Sequence, residues 1–298
     1  MDRYKDSEIL FDIYNIVFSN LKNRNIDLFL CGGASSKKKK SYRDQIRTAI
    51  EESKDFSDIT IFYPEDMFTE LLNKKKYDLL TLEKFLANNS DLILIVCESA
   101  GSYTELGAFV NNADTLEKVV ALLHNKYKKS KSFIRLGPVE YVKSRNKSNV
   151  IYYNNDISET LSQIKKCINS KFGYSYRRKS LEFKDLDSIS GQYNFILLLL
   201  YFYDSMEIKD LVEKINQICS FKQFSINDLK IIYNSAIRRL FKEGMIAKEI
   251  DAQQTGKYKL TNKGYFYAEL LLYYVELKNR IHIVDGLRLK ILHNRLNI

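Results

Sequence analysis

The sequence predicts an α/β domain on a doubly wound parallel sheet, followed by a smaller, mainly α-helical domain carrying a β hairpin. Three observations carry that prediction. Five short apolar runs rich in β-branched residues alternate with stretches of helical period through the first half. A Gly-Gly pair follows the first run, and a block of helical segments with a hairpin pattern fills the second half. A chain of 298 residues that is 45% hydrophobic has the length and apolar content for two cores.

The five runs are Ile26–Cys31, Ile59–Tyr63, Leu92–Cys97, Val119–Leu123 and Val150–Tyr153, with helices expected over Tyr42–Lys54, Asp66–Leu72, Leu82–Asn88, Thr104–Asn111, Pro138–Arg145 and Ile157–Asn169. Pro138 suits a first helical turn. In such sheets ligands bind outside the carboxyl ends of the strands, so the residues just after each run are where chemistry is expected. After the first run, Gly32 and Gly33 let the backbone approach a ligand, and Lys37–Lys40 follow as a basic loop. The second run ends at Tyr63, next to Glu65 and Asp66. The third ends in the small-residue turn Glu98–Phe109, where Ser99, Gly101, Ser102 and Thr104 open a helix whose free N–H groups favour an anion. Glu105 lies beside that turn, either as a functional carboxylate or as a first-turn residue complementing the helix dipole.

Residues 171–190 form a basic linker, and 191–298 a second domain. Helices are expected over Tyr193–Ser205, Glu207–Ile218 and Ile226–Glu243, the last started by Ser225 and Asp228 and stopped at Gly244. Met245–Ile250 and Lys257–Leu260 then pair as a hairpin. The pattern L-F-K-E-G-M-I followed by Y-K-L-T-N-K-G is similar to that of winged helix-turn-helix domains. Leu229, Tyr233, Ala236, Ile237 and Leu240 make an inner face on the third helix, leaving Asn227, Lys230, Asn234 and Arg238 outward, where they can meet nucleic acid. Of the net charge of +10, +3 falls in residues 1–170 and +7 in 171–298, so the polyanion attraction is concentrated in the second half.

Four scattered cysteines without a C-x-x-C pair and three dispersed histidines give no disulfide framework and no metal site. The longest apolar run, Phe195–Tyr203, is too short to cross a bilayer, and the first residues lack the apolar stretch of a signal peptide, so a cytoplasmic protein without membrane attachment is expected.

Four segments carry a family resemblance: L-C-G-G at Leu30–Gly33, F-Y-P-E-D at Phe62–Asp66, E-S-A-G-S-Y-T-E-L-G-A-F at Glu98–Phe109 and K-S-x-S-F-I-x-x-G-P-V at Lys129–Val139. In order and approximate spacing across roughly the first 145 residues they resemble the effector proteins of type II retrons. The resemblance implies that residues 1–170 form a nucleoside 2-deoxyribosyltransferase-like, Rossmann-like catalytic domain, in which the Glu before Leu-Gly, here Glu105, performs glycosidic chemistry. It implies N-glycosidic cleavage of a nucleotide, with NAD or a deoxynucleotide as substrate and no separate cofactor. Gly32, Gly33, Ser99, Gly101 and Ser102 would hold phosphate or ribose, and Tyr63 would stack on a ring.

The partners it implies are a reverse transcriptase and its branched RNA–DNA hybrid, which restrain a toxic activity until phage infection, together with a homo-oligomeric assembly. Ala100, where the family pattern has Pro, and the lysine-rich loop after Gly33 depart from the family. The residues leave three other readings open: a housekeeping deoxyribosyltransferase, a winged-helix transcription regulator that senses a nucleotide, and a structural subunit that packages a hybrid nucleic acid.

Overall fold

The computed structural model describes residues 5–73, 78–173, 181–224, 226–250, 256–275 and 277–296. The chain divides into a unit of residues 24–180 and a unit made of 1–23 with 181–298. It opens on α1 (Asp6–Asp12), which continues through a π turn, Ile13–Val17, and a 3-10 turn, Phe18–Asn20. The sequence pattern assigns these residues to the first domain. They group instead with the C-terminal residues because Ile9, Leu10, Ile13, Tyr14, Val17 and Phe18 are buried there, and Tyr14 donates a 2.7 Å hydrogen bond to Asp185.

Residues 24–180 hold a five-stranded, wholly parallel sheet in the order β2-β1-β3-β4-β5, formed by β1 (Ile26–Cys31), β2 (Ile59–Phe62), β3 (Leu92–Cys97), β4 (Val119–His124) and β5 (Val150–Tyr153). The helices are α2 (Tyr42–Glu52), α3 (Pro64–Asn73), α4 (Leu79–Asn88), α5 (Ala100–Val110), α6 (Ala113–Leu116), α7 (Glu140–Arg145) and α8 (Ile157–Phe172). β1 and β3 are buried along their whole length, as strands covered on both faces must be. The strand order reverses between β1 and β3, and the crevice at such a switch point is where open α/β sheets bind ligands.

Two helical segments differ from what the apolar period indicates. α5 starts at Ala100 rather than Thr104 because Ser99 and Ser102 form a reciprocal capping box. Pro138 is not in a first α-helical turn: it lies within a π turn, Arg135–Val139, that leads into α7.

In the other unit, α9 (Ile189–Tyr203) contains the longest apolar run and is buried almost all round, which is why its sequence lacks a polar face. Phe195 packs edge-on to Tyr14 and Phe18, with ring centroids 6.0 and 5.0 Å away. β6 (Ser205–Glu207), α10 (Ile208–Phe221), α11 (Ile226–Lys242), β7 (Ile246–Ile250), β8 (Gly256–Leu260), α12 (Asn262–Tyr273) and α13 (Arg280–Leu296) complete it. The strands form an antiparallel sheet in the order β6-β8-β7. The hairpin and three preceding helices are those the sequence indicates, except that α9 starts at Ile189 rather than Tyr193 and Ser205 belongs to β6, a strand too short to show a period of two. Leu229, Tyr233, Ala236, Ile237 and Leu240 are buried on α11, as the inner face requires. No helix among the described residues is long and apolar enough to cross a membrane.

Candidate active site

The parallel sheet brings the ends of β1 and β3 side by side, in register at Cys31 and Ile95, so the turns after them share one edge. Gly33 follows β1, and a Cβ there would lie 3.1 Å from Glu98 Cγ and 3.4 Å from Ser99 Cβ. Gly32 faces α2: a Cβ there would lie 2.8 Å from Arg43 Cβ, closer than real Cβ atoms approach. Glycine at both positions lets α2 and the turn after β3 close on the end of β1.

α2 is fixed to this edge by charge. The Glu98 carboxylate accepts from the backbone N–H groups of Tyr42 at 2.8 Å and Arg43 at 3.1 Å, satisfying two of the donors a helix start leaves free. Ser41 caps the same helix by accepting from Asp44 N at 3.1 Å. An anion at the start of α2 would therefore have to displace the protein's own carboxylate.

The start of α5 is similarly self-satisfied. Ser102 is wholly buried, and its Oγ accepts from the N–H groups of Ser99 at 3.0 Å and Glu98 at 3.1 Å. Ser99 Oγ accepts from Ser102 N at 3.2 Å. Ser102 thus builds the turn, whereas Ser99 is half-buried and Gly101 exposed. Gly101 has open space around its Cα, with only Ser99 Oγ, at 3.9 Å, near a Cβ built there.

Glu105 is the sixth residue of α5, beyond the first turn in which a carboxylate complements the helix dipole. Its Oε2 is buried without a hydrogen-bond partner. Burial, then repulsion from Glu83, pushes its carboxyl up to about 7, with Arg43 opposing and Glu65 adding to the rise. Glu83, on α4, is itself pushed up to about 7 by burial and by Glu65, again against Arg43. Two carboxyl groups poised near neutrality under the influence of one guanidinium is the arrangement acid–base chemistry needs at physiological pH.

Arg43 is buried and donates to Glu65 Oε1 at 3.0 Å and Asp44 Oδ1 at 3.3 Å. Its guanidinium also lies 4.2 Å from the centre of the Tyr63 ring, and Arg47 lies 4.3 Å from the same centre. Tyr63 is buried and donates its hydroxyl to Asp44. The ring expected to stack on substrate is committed to two guanidinium groups, and Asp66 accepts from Arg47 at 2.7 Å.

Burial pushes the Cys97 thiol up to about 12, and Cys31 also rises well above its usual value, so neither is a thiolate nucleophile. Among the described residues no group of three His, Cys, Asp or Glu is placed to hold a metal ion.

Neither Glu83 nor Arg43 stands out in the sequence. Glu83 stands beside Lys84 between Leu82 and Phe85, and nothing local separates the carboxylate carried inward from the exposed lysine next to it. Arg43 follows the lysine run and reads as one more surface cation. In the other unit, Lys230 is exposed on α11 and Asn234 and Arg238 are half-buried; the side chain of Asn227 and all of Ser225 lie outside the described residues.

The family described as "STM3845 retron effector protein" matches residues 39–248, which include Glu83, Glu98 and Glu105. The chain belongs to the retron effector family. The effector is 33% identical over 246 residues, 78% of its length and 76% of the relative's, to the Escherichia coli "Retron Ec86 putative ribosyltransferase/DNA-binding protein". It is 27% identical over 142 residues, 47% of its length and 45% of the relative's, to the E. coli "Retron Ec73 putative ribosyltransferase/DNA-binding protein". The names of both relatives join a ribosyltransferase to DNA binding.

Proposed function

We propose that the effector cleaves the N-glycosidic bond of a nucleotide, NAD or a deoxynucleotide, with Glu105 as the carboxylate at C1′ and Glu83 as its proton-handling partner. The observation that carries this reading is Glu105 Oε2, a buried carboxylate oxygen without a partner, on a carboxyl raised to about 7 beside the β1–β3 switch point. In the reaction the C1′–N bond breaks and its electron pair leaves with the base; the base of a deoxynucleotide takes a proton from the protonated carboxyl, whereas nicotinamide, a cation in NAD, leaves neutral without one. The ionised carboxylate meets the oxocarbenium-like charge at C1′. Water then supplies hydroxide to C1′, and its proton restores the acid after a deoxynucleotide's base has left, or passes through the carboxylate to solvent when the leaving group is nicotinamide. Gly32, Gly33, Ser99 and Gly101 line the approach to the sugar.

In this reading the two units divide the labour. The unit with α9–α13 is a winged helix that holds nucleic acid through α11, with Lys230, Asn234 and Arg238, and the effector is restrained by a retron reverse transcriptase and its RNA–DNA hybrid. The E. coli relatives' names, which pair ribosyltransferase with DNA-binding, support this assignment.

The test is base release from NAD and each deoxynucleotide by the purified effector, with and without reverse transcriptase and hybrid, beside Glu105→Gln. Release by the parent and a loss of a hundredfold or more in the variant is expected, about the scale of a removed acid–base group. Equal release by both would refute the assignment of Glu105.

A further inference from the structure

The segment between β4 and β5 has a chemistry that the glycosidic reading does not use. Residues 124–147 hold six lysines and two arginines against the single acid Glu140. Lys126, Lys128, Lys129, Lys131 and Lys147 are exposed, and none of them has a carboxylate partner among the described residues. Arg135, Lys143 and Arg145 do have partners, lying 4.0, 3.3 and 3.8 Å from Glu140, Glu140 and Glu117.

Aromatic rings are interleaved with these cations. Phe133 is 83% exposed, Tyr141 46% and Tyr127 38%. Lys126 lies 4.9 Å from the Tyr127 ring centre, Lys128 lies 5.6 Å from that of Tyr152, and Arg145 lies 5.3 Å from that of Tyr141. An exposed phenyl ring in a hydrated, cationic segment costs free energy in water and gains little from the protein. Its natural counterpart is a flat apolar face attached to negative charge.

We propose that this segment is a binding surface for single-stranded nucleic acid, with Lys126, Lys128, Lys129 and Lys131 on the phosphates and Phe133, with Tyr127 and Tyr141, as stacking platforms for bases. Cations that track a backbone beside rings that accept any base are what sequence-tolerant single-strand recognition requires. The surface begins at the carboxyl end of β4, the same edge as the candidate active site. Lys37–Lys40, also exposed, leave the sheet at the end of β1, two strand positions away and about 10 Å along the edge at ordinary strand spacing. The two basic loops flank the end of β3, so a strand held by one can be met by the other. An anionic membrane would also attract the lysines, but two of the three exposed rings are tyrosines with cations against them, the pattern of stacking rather than of insertion.

The inference does not depend on glycosidic activity, and a failure of base release leaves it standing. The measurement is fluorescence anisotropy of a labelled oligo-dT of about 20 nucleotides, long enough for one such site, with the full-length Glu105→Gln effector over a range of salt, and with sedimentation of phosphatidylserine vesicles in parallel. Replacing Lys126, Lys128, Lys129 and Lys131 together by Ala is expected to weaken binding about tenfold or more, and to reduce the salt slope by roughly 3, about 0.7 for each phosphate no longer neutralised. Phe133→Ala is expected to weaken binding with the slope unchanged, as removal of a stacking platform does. Lys230→Ala, in the other unit, is the control for binding through α11. An unchanged affinity and slope in the quadruple variant, with its fold intact by circular dichroism, would overturn the proposal. So would vesicle binding by the parent without oligonucleotide binding.

Discussion

Glu105→Gln tests the electrostatics of the site without any substrate. A carboxyl raised from 4.5 to about 7 is favoured in the folded protein when protonated and disfavoured when charged. Its stabilising contribution is present in full below pH 4.5 and is lost as pH rises through 7, because between those values the folded chain binds the proton more tightly than the unfolded one. At about 1.36 kcal/mol per pKa unit the shift corresponds to roughly 3 kcal/mol, which partial solvent access reduces to about 1–2 kcal/mol.

Gln carries no titration. Its amide adds a buried donor, a cost that does not depend on pH. The stability of the variant relative to the parent should therefore rise by about 1–2 kcal/mol between about pH 5 and pH 8.5, whatever its value at the acid end. For a unit of this size that is about 3–6 °C in melting temperature. Differential scanning fluorimetry of both proteins across the pH range measures it. A difference that stays flat over that range would show that Glu105 titrates normally and would remove the basis for its role.

Other perturbations read neighbouring interactions. Glu83→Gln removes both the proposed proton donor and the charge that repels Glu105, so base release from a deoxynucleotide should fall and the acid limb of the remaining activity should move to lower pH while the fold persists; an unmoved limb would separate the two carboxylates. Gly32→Ala places a methyl 2.8 Å from Arg43 Cβ and should cost about 1–3 kcal/mol, seen in urea unfolding. Ser102→Ala leaves the N–H groups of Glu98 and Ser99 without their acceptor and should cost about 1–2 kcal/mol by the same assay. Replacing Lys37–Lys40 by Ala should raise KM for nucleotides several-fold at low salt and leave free nucleosides unaffected, as steady-state base release would report.

The sheet was legible because β3, β4 and β5 are short and carry β-branched residues, and β1 and β3 are covered on both faces, so an apolar run, broken in β1 only by Asp27, is their physical requirement. Glu105, whose role is the one proposed above, is marked in the sequence by its motif rather than its position. The alternative of a first-turn carboxylate fails because the Ser99–Ser102 box starts α5 at Ala100, and a reciprocal cap between two serines does not follow the S-x-x-E pattern by which such starts are recognised. Glu83 was not legible because its raised carboxyl comes from burial and from Glu65, and α4 reaches those surroundings through tertiary structure alone. The grouping of residues 1–23 with the C-terminal unit was hidden for the same reason: the apolar face of α1 is evident, but nothing local names what it packs against.

Under the proposed reaction, the place of a substrate phosphate is constrained by what the helix starts already do. α2 has its first N–H groups filled by Glu98, and α5 has donors at its start engaged by serine hydroxyls. Around Glu105 the acting charges are Glu83, Glu65 and Arg43, and Arg43 is already paired with Glu65. A phosphate placed beside Glu105 would meet net negative charge with few vacant donors. Under the proposed reaction a neutral sugar would lie nearer Gly33 and the phosphate outward, where Lys37–Lys40 are exposed. On this account the lysine loop, which departs from the family pattern, supplies the anion recognition that self-capped helices do not offer, and it leaves Glu105 in surroundings negative and dry enough to keep its carboxyl near neutrality.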